Sequence, residues 1–193
     1  MEKLIKLAEK IENKKLREKV IEILKEPSIS NSEIIYPISK LEKVPAWVSG
    51  HHNYEGGLID HIESVTNISL MLSENFEKMY KIKINKDYLI AGALLHDIMK
   101  VFILKKEGRV WNFTGTLLDH AFFSAAELYA RNFPEEVIHI VASHGGDLGA
   151  AGANPRTLEA LIVFYADMID AGIESQINSI NTEDLLSFLI KKQ

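Results

Sequence analysis

Histidine recurs where a helical chain hides its apolar side. His61, His96, His120 and His144 each sit on or at the end of a stripe of Leu, Ile, Val and Ala at three- and four-residue spacing, with Asp97 beside the second and Asp167 on a later stripe. Unpartnered imidazoles and carboxylates are too costly to scatter through a core, so the pattern demands a fold that brings separate helices to one polar centre. A lone histidine on an apolar face is more often a core residue bonded to a carbonyl. Four of them with two aspartates, one in the adjacent pair His96-Asp97, point instead to ligands of divalent cations. Asp97 can bridge two cations through its two oxygens, with His61, His96 and Asp167 completing the first and His120 and His144 serving the second.

The remaining pattern is helix after helix with one hairpin, an all-α fold. Leu4, Leu7, Ile11, Leu16, Val20, Ile23 and Leu24, closed by Pro27, predict one or two amphipathic helices over residues 2 to 25. Residues 27 to 56 read as irregular and include the loop Ser49-Gly50-His51-His52-Asn53-Tyr54-Glu55-Gly56-Gly57. Leu58, Ile62, Val65 and Leu72 predict the helix that carries His61, and Asn85 is placed as the N-cap of one running through His96 toward Lys100. Val101 to Leu104, a turn at Lys105-Lys106-Glu107-Gly108 and Arg109 to Phe113 read as a hairpin. Thr116 is expected to cap a helix that carries His120 and ends near Asn132. Pro134 opens the next, through Val137 and Val141 to His144, and Gly145-Gly146 stops it. A glycine-rich loop leads to Pro155, and a last helix from Arg156 to about Ser175 places Ala160, Val163 and Asp167 on one side.

At 193 residues the chain is expected to form a single domain, with the polar centre within about 45–172 and residues 1–40 as a helical cover. The absence of cysteine removes disulfides, thiolate nucleophiles and iron–sulfur clusters, so any metal is held by His, Asp or Glu. Imidazole with carboxylate suits Fe(II), Mn(II), Co(II) or Zn(II) better than Mg or Ca. A net charge of −5 argues against tracking along a nucleic-acid backbone and leaves only short RNA as a nucleic-acid partner. With no run of eighteen apolar residues and no basic-then-apolar leader, the expectation is a cytoplasmic protein without a membrane partner.

The order His, His-Asp, His, His, Asp resembles the HD-domain superfamily of metal-dependent phosphohydrolases over roughly residues 45 to 172. Pro45-Ala46, His51-His52-Asn53-Tyr54-Glu55-Gly56-Gly57-Leu58, Thr157-Leu158-Glu159-Ala160 and Tyr165-Ala166-Asp167 resemble the branch that contains the YhaM-type 3′→5′ exoribonucleases. The resemblance implies an all-helical core with a one- or two-metal centre, two being favoured by His120 and His144. It also implies iron or manganese as the metal and hydrolysis at phosphorus by a water shared between two divalent ions. Asp97 and Lys100 are then the catalytic candidates, Lys100 stabilising charge on the phosphoryl oxygens. His52, Lys100 and Arg156 are the candidates for substrate contact. Asp170 is placed behind the ligands, Asp119 is expected to be solvated and His139 to lie at the surface. Trp47, Tyr54, Trp111 and Phe113 flank the mouth and either stack on a flat heterocycle, such as a nucleobase or pterin, or pack in the core.

Three departures matter. Met99 stands where the family's usual motif has glycine before Lys100, Gly145 follows His144 where a second histidine is common, and there is no room for the nucleic-acid-binding OB domain of the YhaM-type nucleases. The first functional expectation is therefore a phosphodiesterase for a small 2′,3′-cyclic phosphate, dihydroneopterin 2′,3′-cyclic phosphate among the candidates, similar to compact archaeal enzymes of this kind. A 3′→5′ exoribonuclease on short RNA is the second, and a non-catalytic nucleotide-sensing module the third.

Overall fold

α4 (Lys86–Leu95) is apolar on every side from Leu89 to Leu95 and wholly buried there, which makes it the axis around which the other helices assemble. The computed structural model describes residues 1–146 and 153–179, so most of the glycine-rich stretch before Pro155 lies outside the described residues. In chain order α4 is preceded by α1 (Glu2–Ala8), α2 (Lys14–Lys25) and α3 (Gly57–Tyr80). It is followed by α5 (Lys100–Ile103), the strands β1 (Leu104–Glu107) and β2 (Val110–Phe113), then α6 (His120–Ala130), α7 (Glu135–Ser143) and α8 (Leu158–Ser179). α3 packs on α4 and α8, α7 on α4, α6 and α8, and α1 and α2 close the far side of α4. The all-helical expectation holds, with one two-stranded antiparallel hairpin. Among the described residues no helix is long and apolar enough to cross a membrane.

Local signals explain most boundaries. Asn13 and Asn85 cap α2 and α4, their side chains accepting from Leu16 N and Tyr88 N. Asp87, in the first turn of α4, accepts the backbone N–H groups of Glu12 and Asn13 and so fastens the α1–α2 turn to the central helix. Leu4, Leu7, Leu16, Val20 and Ile23 join Leu58, Ile62, Leu94 and Leu95 in one apolar cluster, so the N-terminal helices share the core that surrounds the site. Gly92 permits a close approach of α4 to α7, since a Cβ there would stand 2.4 Å from Ile140 Cγ2.

Three expectations need correction. Val101 to Ile103 are helical rather than the start of a hairpin. After Leu95 the chain tightens into i→i−3 bonds, Ile98 N to Leu95 O, Lys100 N to Asp97 O and Phe102 N to Met99 O, and the three residues are all buried, which an alternating strand cannot achieve. The strands therefore begin at Leu104, Lys105 to Glu107 are paired, and the reversal is Gly108-Arg109, with Gly108 at φ 63°. Thr116 does not cap α6; its hydroxyl donates to Phe102 O, and Asp119 caps the helix by accepting Ala121 N–H at 2.9 Å.

Candidate metal centre

Each of the six predicted ligands is delivered by a different piece of local structure. His61 lies in the second turn of α3, His96 is the C-cap of α4, and Asp97 follows in the tight turn. His120 opens α6, His144 is the C-cap of α7, and Asp167 sits mid-way along α8. Met99 adopts φ −75°, ψ −3°, a conformation that needs no glycine, so the departure from the usual motif leaves the turn intact.

The structure brings all six together. His61 Nε2 is 3.3 Å from Asp97 Oδ2 and 3.2 Å from Asp167 Oδ1, and His96 Nε2 is 3.2 Å from His61 Nε2 and 3.4 Å from the same Asp97 oxygen. On the other side Asp97 Oδ1 faces His120 Nε2 at 3.3 Å and His144 Nε2 at 3.6 Å, these two nitrogens being 3.3 Å apart. The donors thus form two groups, His61–His96–Asp167 and Asp97–His120–His144, with one oxygen of Asp97 toward each.

The partners of the four Nδ1 atoms make this a cation site. The Nδ1–H of His96 donates to Ala93 O at 2.7 Å and that of His144 to Val141 O at 2.7 Å, while His61 Nδ1 meets Asp170 Oδ2 at 2.7 Å and His120 Nδ1 meets Asp119 Oδ2 at 3.1 Å. A neutral imidazole that donates through Nδ1 presents a bare lone pair at Nε2. All four rings therefore turn Nε2, the atom that bears the lone pair in the neutral form, toward the carboxylates of Asp97 and Asp167. Asp97 Oδ1 is buried with no hydrogen-bond donor among the described residues. Donors at these separations match the edges of a shell with bonds of about 2.1 Å, where neighbouring donors stand roughly 3.0–3.5 Å apart. The residues present therefore fit divalent cations.

Electrostatics agree. Burial pushes His61 down, but hydrogen bonds to Asp167, Asp170 and Asp97 outweigh it and hold the ring well above its ordinary value, so the pocket draws positive charge. Burial also works against the charged forms of Asp97 and Asp167, yet Lys100 and His96 around the first and His61 around the second hold both well below the usual carboxylate range. Burial and the neighbouring His96 lower His144 to about 4, keeping it in the neutral form that ligates.

Around this centre stand the other candidates. Lys100 is buried, with Nζ 2.5 Å from Asp97 Oδ2 and 5.1 Å above the ring of Trp47. Trp47 lies edge-on to Phe113 at 5.4 Å and 5.8 Å from His120, so β2 and the 45–48 segment form an aromatic wall beside the second donor group. His52, at φ 45°, places Nε2 3.0 Å from Asp170 Oδ2 and Nδ1 2.9 Å from the Tyr54 hydroxyl, which donates to Asp60. Lys3 of α1 pairs with Asp60 and Glu63, tying the N-terminal cover to this loop. Gly57 lets the loop lie against the start of α3; a Cβ there would be 2.1 Å from His52 O. His52, His61 and Asp170 also group closely, but His61 cannot use Nε2 toward the cluster and Nδ1 toward another cation while keeping its proton, so Asp170 acts as its orienting partner.

Other expectations fare differently. Asp119 is not solvated: off the helix at φ −63°, ψ 150°, it escapes the hundred-degree rotation that would turn it from His120. The signal that would have found it is the preference for aspartate at an N-cap. His51 was singled out only with its neighbour, yet its ring lies 5.0 Å from that of His61, and burial, followed by the nearby charges of His61 and Lys100, lowers it to about 4. His139 is half-buried rather than at the surface, Nε2 accepting the backbone N–H of Arg156 at 2.9 Å. The exposed Arg156 side chain makes no hydrogen bond or ion pair with the cluster among the described residues.

Comparison with known proteins agrees with this arrangement. The HD domain family model matches residues 58–172. The dihydroneopterin 2′,3′-cyclic phosphate phosphodiesterase of Methanocaldococcus jannaschii is 49% identical over 175 residues, which cover 90% of this chain and 70% of that protein. No solved structure matches the chain. The order of ligand types read from the sequence, the convergence of their lone pairs and the family match lead to one conclusion: the chain belongs to the HD-domain family and is a metal-dependent phosphohydrolase.

Proposed function

We propose that the enzyme is a phosphodiesterase that opens a small 2′,3′-cyclic phosphate, with dihydroneopterin 2′,3′-cyclic phosphate as the leading substrate, and that it works with two cations, Fe(II) or Mn(II). The observation that carries the two-cation reading is Asp97, whose two oxygens face two separate pairs of histidine Nε2 atoms. Support for the substrate comes from the named activity of the Methanocaldococcus protein and from the aromatic wall of Trp47 and Phe113 beside the metal centre. Bound divalent cations supply Lewis acidity at phosphorus and lower the pKa of a water.

The chain's own groups supply the rest. His61, His96 and Asp167 would hold one cation and His120 and His144 the other, with Asp97 contributing to both. Lys100, already carried to Asp97 Oδ2, donates to a non-bridging phosphoryl oxygen as charge builds there. In the overall reaction the oxygen of water bonds to phosphorus, one ring P–O bond breaks, and the released alcohol oxygen takes the proton that the water gives up. His52 contacts that departing oxygen by exchanging its Tyr54 partner for it, with Asp170 still holding Nε2. Trp47 and Phe113 stack on the flat heterocycle. Arg156 serves only as an exposed cation outside the hydrogen-bond network of the cluster.

The RNA reading draws little support from surface charge. A cleft of about 430 Å³ is lined by Lys40, Lys43, Lys105, Lys106 and Trp111, but Lys43 and Lys106 are paired with Glu55 and Lys105 with Glu107. The test is anaerobic loading with Fe(II) or Mn(II) and parallel assay on dihydroneopterin 2′,3′-cyclic phosphate, 2′,3′-cyclic AMP and a short oligoribonucleotide. Turnover of the cyclic phosphates is expected. Hydrolysis of only the oligonucleotide, or only of a phosphomonoester, overturns the proposal.

A further inference from the structure

α8 has two chemically opposite faces. Its charged residues from 158 to 173 are Glu159, Asp167 and Asp170, and all three are engaged with the protein: Glu159 accepts Asn85 N–H at 2.7 Å, and Asp167 and Asp170 both meet His61. The face left to solvent carries Leu158, Leu161, Tyr165, Met168, Ile169 and Ile173, each between 38% and 57% exposed, and no charged side chain. A helix that borders water normally presents its charges there. In a chain with 25% charged residues, four uncharged turns on the solvent side are a surface built for contact.

The spacing specifies what kind. Leu158, Leu161, Tyr165, Met168 and Gly172 follow a 3-4-3-4 rhythm, the seam by which two helices pack at a shallow angle. At Gly172 nothing among the described residues stands within 4 Å of where a Cβ would be, leaving room for another backbone. We infer that this face is where two copies of the chain meet, α8 against α8 across a two-fold axis.

The stripe leaves roughly 500 Å² of apolar surface exposed, near the upper end for a monomer. With a polar rim it approaches the roughly 800 Å² per subunit of a standard interface. An uncharged stripe is its own complement, as an isologous contact requires, and the net charge of −5 sets no like charges against each other along it. Residues 180–193 are the other candidate cover. If those fourteen residues cover the stripe instead, the chain is a monomer in solution.

Light scattering across a range of concentrations, on the full chain, tests this. A mass of twice 21.8 kDa is expected. Tyr165→Glu sets two carboxylates against each other at the seam and should weaken the dimer roughly a hundredfold with helical content retained. Met71→Glu, the same change at an exposed apolar residue of α3, should leave the mass unchanged. Leu161→Lys, at a second stripe position, should dissociate the dimer as well. A monomer at every concentration, or a dimer indifferent to Tyr165→Glu and Leu161→Lys, overturns the inference. So does a monomer that either change destabilises, which would place residues 180–193 on the stripe, and so does the unfolding of both variants.

Discussion

Replacing Asp170 by asparagine separates holding a histidine from ligating with it. A single oxygen, Oδ2, meets His61 Nδ1 at 2.7 Å and His52 Nε2 at 3.0 Å. Hydrogen bonds to a charged group contribute about 1.5–3 kcal/mol each. Asparagine keeps the shape and one acceptor but loses the charge, so the pair of contacts is weakened by ~1–3 kcal/mol in total. Outer partners of a ligating histidine are worth about 10–100-fold in metal affinity. Titration calorimetry with Mn(II) should show a loss in that range, accompanied by lower turnover at equal Mn(II). The metal-free protein offers a second reading. Burial pushes the Asp170 carboxyl up, but hydrogen bonds from His52, His61 and Ser64 outweigh it and hold it well below the usual carboxylate range. Such an acid adds stability above its unfolded value near 4, and this is lost as pH falls through the folded value. His61, held high, adds stability that is full below about 6.5 and lost as pH rises through its folded value. The gap in melting temperature between wild type and Asp170→Asn should therefore be widest from about pH 4 to 6.5 and close in strong acid. Unchanged Mn(II) affinity with a pH-independent gap would refute the orienting role.

Further outcomes are expected. Asp97→Ala should abolish metal binding and turnover while circular dichroism shows the helices retained, and residual activity at the wild-type level would dismiss the bridging carboxylate. Lys100→Ala should lower turnover by about 10²–10³ with metal content by elemental analysis unchanged; equal loss of metal would move Lys100 from the substrate to the cation shell. Gly57→Ala should destabilise by ~1–3 kcal/mol in denaturant unfolding, because its Cβ would stand 2.1 Å from a backbone oxygen that cannot swing away. Chelation with EDTA should lower the melting temperature more at pH 7.5 than at pH 5.5, since imidazoles shed their protons to bind metal.

The candidate ligand set was legible because five of its members sit on or at the end of a local helical stripe and Asp97 adjoins one of them, and a 3.6-residue period needs no knowledge of the fold. What lay beyond reach depended on contacts across the chain. Asp170 and His52 meet over 118 positions, and nothing near either residue announces the other. Val101 to Ile103 carry strand-forming residues, yet the tight turn at Asp97 and complete burial override that propensity. Asp119 was misread by treating it as inside a helix that it in fact begins. The two-sidedness of α8 was hidden because its apolar residues cover both the core side and the outer side, and periodicity alone cannot say which is which.

His96 and His144 each end a helix and bond back to a carbonyl three residues earlier, so α4 and α7 both aim their C-terminal ends at the same small space. The negative poles of two helix dipoles are thereby added to the carboxylates of Asp97 and Asp167. Without cations that space repels a phosphate ester; with them its sign is reversed. Loading must then precede substrate in the order of events, and an apoenzyme of this design is guarded against idle occupation by the anions that crowd a cell.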